Sequence, residues 1–216
     1  MKTLQVLLIT LFLSINAYCG DTLYYAPLRN SLKIVDVDYK SENLKQLANC
    51  CERIVGVYKN EWLPYYYEAY AYINLSFNEN NVDKKEILCD KAQVLIDSAL
   101  KVKPNESELY TLQCLLYFTR MSINPMINGP IYLVKSSSAL EEAQRLNPIN
   151  PRIYFLRGKL TVNTPKFFGG GKEAALPILE IALQKYTDFK PESNVHPYWG
   201  KEGTERLLKE CKPDSL

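Results

Sequence analysis

Histidine is almost missing from this chain: His196 is the single one in 216 residues. The six cysteines form no Cys-x-x-Cys pair, so neither the ligand spacing of structural zinc nor the motif that lowers a thiol pKa for redox work is present. An excess of charge is missing as well. The 26 Lys and Arg against 24 Asp and Glu leave a formal +2, whereas a nucleic-acid protein carries a basic stripe, and no nucleic-acid partner is expected. Glycine is scarce, nine against sixteen tyrosines, which points to large amphipathic side chains packed between elements. Beyond residue 13 there is no apolar run long enough to cross a bilayer, so no transmembrane segment is expected in the mature chain. What is present, 47% hydrophobic and 23% charged residues, suits one sizeable core or a short array rather than disorder.

The N-terminus reads as a secretory signal peptide. Lys2 supplies the positive n-region, Leu4 to Leu13 is an almost uninterrupted apolar run, and small or polar residues follow. Cleavage after Ala17 or after Cys19 both fit, and Tyr18 directly before Cys19 argues against a lipid anchor there. The expected division is residues 1–19 as signal, 20–40 as a non-repetitive lead or cap, extended or helical, and 41–216 as a single repeat domain. The mature chain is expected to be exported, to the periplasm or the extracellular space. In that compartment Cys50, Cys51, Cys89, Cys114 and Cys211 can form disulfides. They are expected as buried small apolar groups, with room for one bridge between neighbouring helices.

From Ser41 the apolar period is helical. Leu44, Leu47, Ala48, Cys51, Ile54 and Val55 share one stripe. Asn60 reads as an N-cap for a helix over Glu61 to Phe77, Asp83 with Glu86 as the next start, and Pro104 as a stop before Asn105 and Glu108 cap a helix from Glu106 to about Met121. Ser122 to Pro130, with two Pro and a Gly, is expected as an interruption, and Tyr132 to Asn147 as the following helix. Asn150 and Pro151 open another, Asn163 to Gly171 interrupts again, and Glu173 to Tyr186 and Trp199 to Cys211 complete about eight helices in four hairpins. Ala99, Pro104, Tyr110 and Cys114 recur 44 positions later as Ala143, Pro148, Tyr154 and Gly158. One hairpin cannot bury its apolar face alone, so repeated hairpins stack.

With those residues in view, the chain resembles the tetratricopeptide-repeat (TPR) family over roughly Ser41 to Cys211. Ala92, Ile96, Ala99 and Pro104 match the family's second-helix pattern, as do Ser136, Leu140, Ala143 and Pro148. Tyr65 and Ala69, Tyr110 and Cys114, and Tyr154 and Gly158 match the first-helix pattern. The Leu that normally precedes the small residue is Glu68, Gln113 and Arg157 here, which disturbs the register. The resemblance implies an all-α fold, an α-α solenoid of about four hairpins wound as a right-handed superhelix. The segment Thr164 to Gly171, TPKFFGGG, is similar to a loop of periplasmic repeat proteins associated with TRAP transporters.

Chemistry is sparse. Gly169, Gly170, Gly171 and Lys172 have the wrong spacing for a phosphate loop, and Glu173 stands where Ser or Thr would hold magnesium. His196 has no activating neighbours and reads as a surface linker residue. Glu141 with Glu142 and Asp36 with Asp38 read as solvated charges rather than a general acid and base. No catalytic residue, metal or cofactor is expected. The repeat register instead places Tyr66, Tyr70, Thr111, Leu115, Phe118, Arg152, Phe155 and Lys159 on the face that lines the groove in TPR proteins, where they either recognise a peptide or pack as core. Met126, Phe167 and Phe168, in the two interruptions, either make contacts from one edge or fold beneath it. The resulting expectation is a non-enzymatic exported scaffold that binds a protein or peptide of the cell envelope. The alternative is a solute-binding accessory of an envelope transport system.

Overall fold

The structure, a computed structural model, describes residues 21–212, with side chains from residue 25. The expected signal segment, its cleavage site and Cys19 lie outside the described residues. Those described form nine α-helices: α1 Asp21–Val37, α2 Ser41–Val57, α3 Trp62–Asn78, α4 Val82–Val102, α5 Ser107–Ile123, α6 Pro125–Leu146, α7 Pro151–Asn163, α8 Lys172–Asp188 and α9 Lys201–Cys211, with a short 3-10 turn at Lys166–Phe168. Neighbours in sequence pack as antiparallel hairpins, and α3, α5 and α7 also pack on one another in a row that forms the inner layer. This is an all-α solenoid, as the repeat pattern implies.

The repeated residues are packing devices. Ala92, Ile96 and Ala99 on α4, Ser136, Leu140 and Ala143 on α6, and Ala175, Leu179 and Ala182 on α8 are all buried, small residues letting the next hairpin approach and the large one filling the gap. At Gly158 that approach is closest, since a Cβ there would sit 2.5 Å from a methyl of Leu179. Tyr65, Tyr110 and Tyr154 donate their hydroxyls to the carbonyls of Lys59, Pro104 and Pro148 at 3.3, 3.2 and 3.0 Å. Each ties its helix to the turn six residues earlier, a tertiary repeat beneath the sequence repeat.

Several expectations are corrected. Of the two conformations left open for the lead it takes the helical one, because Leu28, Leu32 and Val35 fall on one stripe buried in the same core as α2. The count is therefore nine helices among the described residues rather than about eight. Ser122 to Pro130 is not a long interruption. The break is confined to Asn124, whose side chain caps α6 at the amide of Ile127, and Pro130 is carried inside the helix. Only Asn163 to Gly171 projects as a loop. The caps also shift: Asn81 and Glu106 accept the first-turn amide bonds, while Asn60 caps nothing and Glu108 turns inward. No disulfide occurs among the described residues, and Cys50, Cys51, Cys89, Cys114 and Cys211 are free and buried. Burial pushes the Cys114 thiol up to about 12, so it behaves as a small apolar group.

The three polar departures from the family pattern are accommodated individually. Gln113 exchanges two amide hydrogen bonds with Gln93 at 2.8 Å, and Arg157 donates to Gln144 Oε1 at 2.8 Å, each reaching the second helix of the preceding hairpin. Glu68 is buried without such a bond.

Candidate functional site

The inner face is where the repeat register puts the expected groove, and the chain itself occupies it. After α8 the segment from Phe189 to Gly200 runs back across α3, α5 and α7. Trp199 donates its indole N–H to Tyr66 Oη at 2.6 Å, stacks on Tyr70 with ring centroids 5.6 Å apart and meets Phe155 edge-on at 6.3 Å. Tyr67 donates to the carbonyl of Val195, and Tyr186 to that of Trp199, both at 3.0 Å. Gly200 turns the chain into α9 with φ 106°, a backbone conformation that a side chain would strain.

Beneath Trp199 is a buried polar cluster. Arg152 donates from Nε to Glu108 Oε2 at 2.6 Å and pairs again through Nη2 with Oε1. Asn150 caps α7 through its Oδ1 at the amide of Arg152 and donates from Nδ2 to Glu108 Oε1 at 3.0 Å. His196 Nε2 stands 3.8 Å from the same carboxylate. Burial alone would raise the Glu108 carboxyl, yet the Arg152 guanidinium with its hydrogen bonds, and the nearby His196, outweigh it and hold the group below its usual range. The Phe189 ring lies 4.6 Å from the guanidinium carbon. His196 is thus a buried residue, not a surface linker. The cluster fixes the returning segment, and its members Glu108, Asn150, Arg152 and His196 are all buried.

The expected groove residues are accordingly interior. Tyr66, Tyr70, Thr111, Leu115, Arg152 and Phe155 are buried, while Phe118 and Lys159 are partly buried where the inner face runs past α9. The loop residues are the opposite: Met126 and Phe167 are each 91% exposed and Phe168 is 72% exposed. The sequence expectation does not include Trp199 and its companions. The signal for them is the run Val195, Pro197, Tyr198 and Trp199, too apolar for a solvated linker.

The open site is on the edge. Between α6, α7 and the 3-10 turn lies a cleft of about 440 Å³, with Leu140 and Leu160 buried at its base and Leu133 and Phe168 on its walls. Its size suits a small-molecule site, for which about 300–1,000 Å³ is usual. Arg157 enters it and spends one N–H group on Gln144, leaving donors that make no bond among the described residues. Glu141 is the one acidic residue in the lining. Phe168 lines the cleft, and the exposed Phe167, outside the lining, packs edge-on against it at 5.2 Å. The three glycines beside them are committed: the amides of Gly169, Gly170 and Gly171 donate to the carbonyls of Lys166, Pro165 and Thr161. No amide cradle is left for a phosphate. Met126 lies on the same stripe of α6 as Leu133 and Leu140, at spacings of seven, but is exposed and outside the lining.

Among the described residues no helix is long and apolar enough to cross a membrane, and no cluster of His, Cys, Asp and Glu is placed to hold a metal. Neither family models nor curated protein sequences give a match. Among the solved structures that are similar, two show the range of likeness. One, the HusA haemophore from Porphyromonas gingivalis, is 30% identical and superposes with a TM-score of 0.80, covering 89% of this chain and 94% of that one. The other is a thermophilic TPR protein of Thermus thermophilus, 16% identical with a TM-score of 0.53 over 91% of this chain and 96% of that one, a likeness of fold alone.

Proposed function

The chain belongs to the family of the HusA haemophore, and from that premise we propose that it is a non-enzymatic exported protein that binds haem, or a porphyrin like it, in the edge cleft. The observation that carries this reading is Phe168, exposed in the wall of a cleft that Arg157 enters, with the exposed Phe167 packed beside it. A porphyrin is a flat apolar ring bearing carboxylates. Aromatic faces and an aliphatic floor suit the ring, and a guanidinium with spare donors suits a carboxylate bidentately. The solvent-exposed rings would be desolvated when a ligand covers them, which favours binding by the area removed from water.

This reading takes the solute-binding alternative over a peptide in the inner groove. Tyr66, Tyr70 and Phe155 already hold Trp199, so a peptide would have to displace a segment anchored by the partly buried Trp199 and the buried Val195, His196 and Pro197. Binding of a protein partner by this scaffold is not required for the proposal.

Titration with haemin followed by absorbance tests it. The wild-type chain should show a saturable Soret change. Phe168→Ala and Arg157→Ala, confirmed as folded by circular dichroism, should each weaken binding about tenfold, corresponding to about 1.4 kcal/mol. Unchanged affinity in both folded variants would overturn the assignment to this cleft.

A further inference from the structure

At the open end of the inner face, past the segment that fills it, two cations stand without a counter-ion among the described residues. Lys159 on α7 holds its ammonium 4.2 Å from the ring centre of Phe118 on α5 and 5.4 Å from that of Phe77 on α3. It makes no ion pair, and its Nζ has no hydrogen bond among the described residues. The charge of Arg206, an exposed residue on α9, acts on it, and Arg206 makes no ion pair among the described residues. A partly buried ammonium normally has a carboxylate beside it. Here the neighbours are two aromatic faces, a second positive charge and the buried Cys114 thiol. Burial, with the charge of Arg206, brings the Lys159 ammonium down to about 8.

We propose that Lys159 and Arg206 form an anion site, separate from the edge cleft, that takes a carboxylate borne on an apolar body. Phe118 is half-buried and Phe77 is 37% exposed, so both offer apolar surface beside the charge. The body would lie on these rings and the carboxylate would meet the ammonium, with Arg206 closing from α9. Lys159 and Arg157 are two residues apart on α7 and point about 200° apart around it, so the two sites face different sides of the molecule.

The experiment is a ¹H–¹⁵N NMR titration of the protein with 3-phenylpropionate, with uncharged 3-phenylpropanol as the control. Saturable shifts are expected at the amides around Phe118, Lys159 and Arg206, at least tenfold weaker with the alcohol. Lys159→Met keeps the unbranched apolar stem and should abolish them without lowering the melting temperature. Phe168→Ala, at the other cleft, should leave them unchanged. Absence of shifts at these positions, equal binding of the alcohol, or retention in Lys159→Met would overturn the proposal.

Discussion

Trp199 hands its only side-chain polar hydrogen to the hydroxyl of Tyr66, at 2.6 Å and across 133 residues of sequence. That one bond joins the end of the returning segment to the first helix of the inner layer, and it makes interior what a TPR protein leaves as a groove. Burial raises the Tyr66 hydroxyl well above its ordinary value, so it remains an uncharged acceptor at any physiological pH.

Trp199→Ala should therefore act on stability before it acts on recognition. It removes a ring packed on Tyr70 and Phe155 and leaves the Tyr66 hydroxyl unpaired. The expected loss is about 3–5 kcal/mol by denaturant unfolding. A loss below about 1 kcal/mol would mean the segment is only loosely seated.

The Glu108 and Arg152 pair should show strong coupling. Arg152→Met alone strands a buried carboxylate and is expected to cost about 3–5 kcal/mol. Adding Glu108→Gln removes the stranded charge and should restore part of that loss. Additive losses in the double-mutant cycle would contradict a direct pair.

Glu68 should give the protein a pH dependence near neutrality. Burial, with Glu52 nearby, raises its carboxyl from 4.5 to about 7 despite the opposing charge of Lys91. The folded state then binds more protons than the unfolded chain between those values. Stability is fully present below about 4.5 and is lost as pH rises through about 7. Glu68→Gln should flatten the melting temperature over that window and raise it at pH 8 relative to the parent.

Gly158→Ala should destabilise by about 1–3 kcal/mol, because the new methyl meets Leu179 at 2.5 Å in a packed core. A second change, Leu179→Ala, makes room for it. The two should be less than additive in thermal unfolding, whereas Gly56→Ala, with open space around it, should not destabilise.

Some of the molecule is legible residue by residue. Ala99 and Ala143 mark second helices because a small residue every turn is needed where hairpins nest, and Asn150 with Pro151 marks the α7 start because the cap chemistry is local. Phe167 and Phe168 are exposed, in keeping with two aromatics beside three glycines that have no helical stripe to join. Ser122 to Pro130 misleads, since Pro130 is tolerated inside α6 once Asn124 has made the turn. His196 also misleads, because its partner Glu108 is 88 positions away.

Local sequence thus determined the helices, their order and their stacking, since period, caps and small residues act within a turn or between adjacent hairpins. Tertiary structure decided which surfaces remain available. The return of Phe189 to Gly200 over the inner layer, the pairing of Glu108 with Arg152, and the cleft that brings Leu133, Arg157 and Phe168 together all join residues from separate elements. Such contacts depend on the three-dimensional path of the chain, which no local period encodes.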